Sequence, residues 1–316
     1  MIGHAAAARL AVLVVLCAIS ASCGAYYWAG IRLYYRKVAL APSQIRRDIP
    51  YAGMASTSRQ RLNLFVPATG PGTPPAPFVV FVHGGNWDGG DRNLEVGGAD
   101  IYNNIGRYFA SHGIGAAVVG YRLLPAVTWQ TQLSDVARAV RWVGAHASPG
   151  GVRAPCVFLM GHSAGAQIAA RVALDPNLRA AGQDPLPICG VIGVSGAGYD
   201  LGDTRTYELS GDLDWYAKRF ATVPDWQQAA SPIRFIQKDA ALPIPPFLLL
   251  YAGGEGKALQ RQSQLMHDAL LEARASSALV IVPGESHSRI VLTLSRDDKL
   301  AGPAIVTFIR THAAGR

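Results

Sequence analysis

CVFLMGHSAGAQIAARVAL, residues 156–174, is the stretch whose reading decides the fold. It begins as a short unbroken apolar run and ends as small and branched apolar residues at helical spacing, so a buried strand passes directly into a helix. At the joint stands Gly161-His162-Ser163-Ala164-Gly165, a G-x-S-x-G pattern. A serine on so sharp a turn needs glycines on either side for the backbone to fold back, and its hydroxyl then projects clear of both elements. The five residues alone are weak evidence, because short patterns recur by chance. A strand before them and a helix after them make Ser163 a candidate nucleophile.

Outward from this joint the chain alternates. FVVFVHG (78–84), IGAAVVGY (114–121), CVFLMG (156–161), CGVIGVSG (189–196), FLLLYAG (247–253) and ALVIV (278–282) read as strands, preceded by a shorter one in RLNLFVP. Nearly continuous apolar runs are what parallel strands covered on both faces look like. Helical patterns lie between them, around IYNNIGRYFASHG, QLSDVARAVRWVGAHA, SAGAQIAARVAL and QRQSQLMHDALLEAR, with PAIVTFIRTH last. The expected architecture is α/β, a mainly parallel central sheet with helices on both faces. Residues 199–245 interrupt the alternation with a polar and aromatic stretch containing Tyr199, Tyr207, Trp215, Tyr216, Phe220 and Trp226. It reads either as a small cap over a pocket or as a surface insertion packed on the sheet.

A second motif, His83-Gly84-Gly85-Asn86-Trp87, follows the strand FVVFV, with Ser163 80 residues further on. Acyl transfer passes through a tetrahedral oxyanion, and fixed backbone N–H groups lower that barrier. Gly84 or Gly85, with Asn86 beside them, are the expected donors, together with the N–H of Ala164 after the nucleophile. Asn86, Trp87 and His162 are expected at the substrate. Ser163 needs a base, and of eight histidines only His267, His287 and His312 follow both it and the next strand. His267 and His312 fall inside helical patterns. His287 stands in PGESHSRI, directly after the last strand, and is the expected general base. The acid that would orient it is Glu255, the sole carboxylate in AGGEGKALQRQS; Asp200, with Asp203 behind it, is the rival, and Glu285 is read as a surface residue.

HGGNW, GHSAG, the GYR of Gly120–Arg122 and GESH together resemble the carboxylesterase group of the α/β-hydrolase superfamily. SQIRRDIPY, LNLFVP, FVVFVHGGNW, MGHSAGAQIAA and SGAGYDL resemble, within it, the branch of prenylcysteine methylesterases, arylformamidases and BD-FAE-like esterases. The likeness runs from about Ser43 to the C-terminus. It implies Ser163 as nucleophile, His287 as base and the HGG glycines as oxyanion hole. This family usually carries Asp where Glu255 falls, which leaves Asp200 open as the acid. The expected activity is cleavage of a small carboxylic ester through an acyl-enzyme, with no metal or organic cofactor called for. Formamide or other amide hydrolysis is the alternative, and a catalytically inactive, membrane-tethered binding protein on the same fold is the alternative of another class.

The chain has 316 residues, half of them hydrophobic and 16% charged, which excludes disorder and fibre-type sequences. Its net charge of +8 raises nucleic acid as a partner. However, Arg9, Arg32, Arg36, Lys37, Arg46 and Arg47 all precede the first carboxylate, Asp48, leaving 23 basic against 21 acidic groups. The remainder is almost neutral, so no nucleic acid is expected. Leu10 to Ile31 form a 22-residue segment free of formal charge, with Tyr26, Tyr27 and Trp28 near its end and basic residues after it. Residues 1–47 are therefore expected to form a signal or anchor segment with a basic juxtamembrane stretch, and 48–316 the catalytic domain. The segment reads as a retained anchor, a cleaved signal peptide, or a lipoprotein signal ending at Cys23. Membrane association with the catalytic domain outside the cytoplasm is expected, although the excess of positive charge after the segment favours the opposite orientation. Cys156 and Cys189 open adjacent-looking strands and read as small buried hydrophobes, with a bridge conceivable.

Overall fold

The computed structural model describes residues 31, 34–68, 70, 75–147, 154, 156–180, 185–236 and 242–314. The apolar segment, apart from Ile31, and much of the TGPGTPPAP connector lie outside them. Among the described residues no helix is long and apolar enough to cross a membrane.

Among the described residues ten strands form: β1 Ile45–Pro50, β2 Arg61–Phe65, β3 Phe78–Val82, β4 Glu95–Val96, β5 Ala99–Asp100, β6 Gly115–Val119, β7 Val157–His162, β8 Ile188–Val194, β9 Phe247–Ala252 and β10 Ser277–Val282. Eight of them make one sheet in the order β1-β2-β6-β3-β7-β8-β9-β10, while β4 and β5 form a separate ribbon. Pairing from β6 to β10 is parallel; β2 runs against both of its neighbours. Every residue of β3, β6, β7 and β8 is buried, as their continuous apolar runs require.

Alternation along β3 divides the core. Phe78, Val80 and Val82 face a cluster built with helices Trp129–His146, Ala164–Leu174 and Lys257–Glu272. Val79 and Phe81 face the opposite cluster with helices Ile101–Ser111 and Ala301–Ala313. Helices thus cover both sides of the sheet, as the sequence pattern implies.

Three elements depart from the sequence reading. First, β1 straddles the boundary expected between residues 47 and 48. Its Arg46, Arg47 and Asp48 hide any apolar pattern, and such charges are what an unprotected sheet edge tends to carry. Second, ALVIV is the opposite edge strand, not a covered one, with Ile281 53% exposed. Third, Cys156 and Cys189 are joined by a disulfide, which corrects their reading as free buried thiols. Both sit at the starts of paired strands: Val157 lies opposite Ile188, which brings their neighbours Cys156 and Cys189 together.

Candidate active site

In a parallel sheet all strands end on the same side, so loops far apart in sequence converge there. The HGG loop follows β3, Ser163 follows β7, the Glu255 loop follows β9 and the His287 loop follows β10. Ser163 takes φ 54° and ψ −123°, a conformation that a non-glycine residue holds only where its surroundings impose it. Those surroundings are specific: a Cβ at Gly161 would collide with the Gly165 carbonyl, and one at Gly165 with the carbonyl of Val82 at the end of β3. The two glycines of G-x-S-x-G therefore clasp the turn against the neighbouring strand.

The Ser163 hydroxyl lies 3.0 Å from Nε2 of His287, and Nδ1 of His287 lies 3.0 Å from Oε2 of Glu255. With Nδ1–H donating to the carboxylate, Nε2 is left to accept the serine proton. The Glu255 side chain is wholly out of solvent, and its Oε1 has no hydrogen-bond partner among the described residues. Of the two carboxylates weighed for this position, Glu255 is the one placed on His287. Asp200 accepts the N–H of Gly202 at 2.9 Å and faces Arg234 at 3.6 Å. Asp203 accepts a two-pronged Arg261 guanidinium at 2.7 Å and caps the helix Thr204–Ser210 through the Thr206 N–H. The Arg261 contact, foremost, holds its carboxyl down to about 2. Glu285 is no surface residue: it is 4% exposed and pairs with Arg289 at 2.8 Å and Lys299 at 3.7 Å.

Gly84 allows the HGG loop to close on the elbow, since a Cβ there would sit 3.0 Å from the His162 carbonyl and 3.1 Å from Cβ of Ser163. Its main chain lies beside the Tyr102 hydroxyl, whose pKa burial pushes up to about 12 against the opposing effect of that contact. Among the described residues, the N–H groups of Gly85, Asn86 and Ala164 donate to no other protein group. His83 is fully buried, and desolvation brings its pKa down to about 4. Its Nδ1–H donates to the Gly84 carbonyl at 2.7 Å, and its ring stacks on Tyr121 at 4.4 Å. Tyr121 returns a hydrogen bond to the His83 carbonyl, and Arg122 grips the buried Asp135 with two bonds of 2.8 Å. The GYR motif is thus the foundation under the HGG loop.

Ser163 and His287 open onto a cavity of about 470 Å³. Asn86, Trp87, Thr206, Leu209, Trp215, Tyr216, Lys257 and Gln262 contribute to its walls. Helices Thr204–Ser210 and Leu213–Phe220 supply much of that lining, so the inserted stretch is a cap over the site. Trp87 is only 1% exposed and is pinned by its Nε1–H to Gln167 at 3.0 Å, with Trp215, Tyr216 and Phe220 packed around it. Leu209 and Lys257 had no motif to announce them; they come from helices Thr204–Ser210 and Lys257–Glu272, whose placement over the site depends on tertiary packing. His162, expected at the substrate, is not among the lining residues of this cavity. It points to the other side of the elbow, where its Nε2–H donates to the His287 carbonyl at 3.0 Å.

A strained serine between strand and helix, an imidazole on its hydroxyl, a buried carboxylate behind the imidazole and an HGG loop beside them define the α/β-hydrolase class. The chain belongs to the BD-FAE family, whose profile matches residues 62–270. Among curated proteins, it is 26% identical over 262 residues to an isoprenylcysteine alpha-carbonyl methylesterase of Arabidopsis thaliana, covering 79% of this chain and 58% of the relative. It is 27% identical over 249 residues to the esterase LipC of Mycobacterium tuberculosis, covering 75% and 59%. The chain therefore spans a little under three-fifths of the length of these relatives. Among solved structures, esterase B from Lactobacillus rhamnosis superposes with a TM-score of 0.72 at 23% identity, over 98% of this chain and 96% of that one, which establishes the shared fold.

Proposed function

We propose that this chain hydrolyses carboxylic esters through an acyl-enzyme on Ser163. The observation that carries the reading is the relay from Ser163 Oγ to His287 Nε2 and from His287 Nδ1 to Glu255 Oε2, each step 3.0 Å, at the wall of a capped cavity. The names of its relatives, esterase and methylesterase, support the same class.

In this reading Ser163 attacks the ester carbonyl while His287 takes its proton, and Glu255 stabilises the imidazolium that forms. The N–H groups of Ala164 and of Gly85 and Asn86 receive the oxyanion; Gly84 serves the close approach of the loop. Each such donor contributes about 3 kcal/mol of barrier lowering. His287 then delivers its proton to the departing alcohol, and water, deprotonated by the same imidazole, releases the acid. A cavity of about 470 Å³ suits a small ester.

A panel of acetyl, butyryl, octanoyl, prenylcysteine methyl and formyl-aryl substrates tests this proposal, with Ser163→Ala as blank. Turnover of the short esters, lost in the variant, supports it. Turnover of the formyl-aryl substrate alone shifts the reading to amide hydrolysis, and no turnover of any leaves the binding-protein alternative.

We further propose that residues 1–47 tether the catalytic domain to a membrane on its extracytoplasmic side. The uncharged run Leu10–Ile31 supports the tether, and the Cys156–Cys189 disulfide supports an oxidising compartment. Recovery of the full chain in the soluble fraction of its native cell, with both cysteines open to alkylation, would contradict both parts.

A further inference from the structure

We propose that His162 is a positioning residue for His287: it fixes the main chain of the base, and with it the base-to-nucleophile distance, through the hydrogen bond from Nε2–H to the His287 carbonyl. The inference rests on the reading of Ser163 and His287 as the reacting pair.

His287 lies in the loop between Val282, the end of β10, and Arg289, the start of a five-residue helix, so no sheet ladder or helix holds its backbone. Its ring is held at both nitrogens, by Ser163 and by Glu255. Neither contact fixes the backbone behind it, because rotation about the side-chain bonds can absorb a shifted main chain. His162 supplies the missing point. Its Nε2 is 3.0 Å from the His287 carbonyl, and no other side chain donates to that oxygen among the described residues. A carbonyl only accepts, so the proton of His162 must sit on Nε2.

Two properties suit His162 to this task. As the residue directly before Ser163, it ties the base loop to the same turn that carries the nucleophile, so the two reacting groups move together. It is also kept neutral: burial, and then the nearby His287, bring its pKa down to about 3. A cation there, with ring centroids 4.8 Å apart, would oppose the imidazolium that His287 must become. On its other flank Gly84 packs close enough that a Cβ would lie 3.1 Å from His162 Nδ1, so one buried ring spaces the HGG loop, the elbow and the base loop.

The test compares His162→Gln, which keeps a donor at the reach of Nε2, with His162→Phe, which fills the volume without one. Displacement of a catalytic group by an ångström costs about 100-fold in rate. The expected result is a fall in kcat of about 10- to 100-fold for Phe with KM little changed, and recovery of most of that loss by Gln. Thermal unfolding midpoints that are similar in the two variants accompany it. Equal kcat in Gln and Phe, or losses that follow the unfolding midpoint alone, overturn the inference. Fluorophosphonate labelling of the unsubstituted protein, run in parallel, separates its failure from that of the underlying reading: absence of label at Ser163 there removes the reacting pair itself, and the inference with it.

Discussion

The Glu255 carboxylate stands 3.0 Å from Nδ1 of His287 with its side chain entirely shielded from water. A carboxylate so placed fixes the imidazole tautomer, and among the described residues it pairs with no Lys or Arg. Glu255→Gln is expected to lower kcat by about 10²- to 10⁴-fold while leaving the fold intact, because an amide can present its N–H to Nδ1 and select the wrong tautomer. Asp200→Asn, which disturbs only the Gly202 turn and the distant Arg234 pair, is expected to leave kcat/KM nearly as it was. Steady-state kinetics of the two variants decide it; the reverse pattern would move the acid to Asp200.

Two buried histidines make stability depend on pH. His83 and His162 titrate in the folded chain at about 4 and about 3, below the ordinary value of 6.5. The unfolded chain therefore binds more protons as pH falls from 6.5 towards 4, and stability declines with it. Between pH 7.5 and pH 5 the loss is on the order of 2 kcal/mol per histidine. Asp203, held at about 2, adds its own loss only below the ordinary carboxyl range. Urea unfolding at the two pH values measures the sum, and a flat profile would contradict the burial assigned to these rings.

The Cys156–Cys189 disulfide closes a sequence separation of 33 residues around helix Ala164–Leu174 and the elbow. Loss of the cross-link in Cys156→Ala/Cys189→Ala is expected to cost about 2–4 kcal/mol by releasing the unfolded chain. Denaturant midpoints with and without reductant check it. The unreduced double variant should match reduced parent protein.

Leu209 stands on the cap and forms part of the cavity wall. Leu209→Trp is expected to reduce kcat/KM for octanoyl esters by about tenfold while sparing acetyl esters, because a filled pocket discriminates by a few methylenes. An equal loss for both chain lengths would place Leu209 away from the acyl group.

The sequence showed most plainly what covalent neighbours decide. Apolar runs of strand length alternating with helices announced the parallel sheet, and a parallel sheet must gather its loops on one side. Ser163 and His287 were legible for that reason, each standing directly after a strand in the order such a site demands. Asp200 could be set aside only with structure in hand, because its carboxylate turns back on the nearby Gly202 N–H and faces Arg234, which comes from elsewhere in the chain, while Glu255 takes the place on His287. His162 was misplaced at the substrate, since its proximity to Ser163 in sequence says nothing about which side of the turn its ring takes. β1 escaped notice because an edge strand carries charge where a central one carries valine. The disulfide was obscured by the same composition that hides any cysteine in an apolar strand.

Ser163, as a nucleophile activated by His287, should itself be the group that reacts with an electrophilic phosphonate. Incubation of the purified protein with a fluorophosphonate, followed by peptide mass spectrometry, tests it most directly. One phosphonyl adduct is expected, on the peptide containing Gly161–Gly165, formed stoichiometrically in the parent chain, strongly slowed in His287→Ala and absent in Ser163→Ala. An unlabelled parent chain, or an adduct that persists at the same rate in Ser163→Ala, would contradict it.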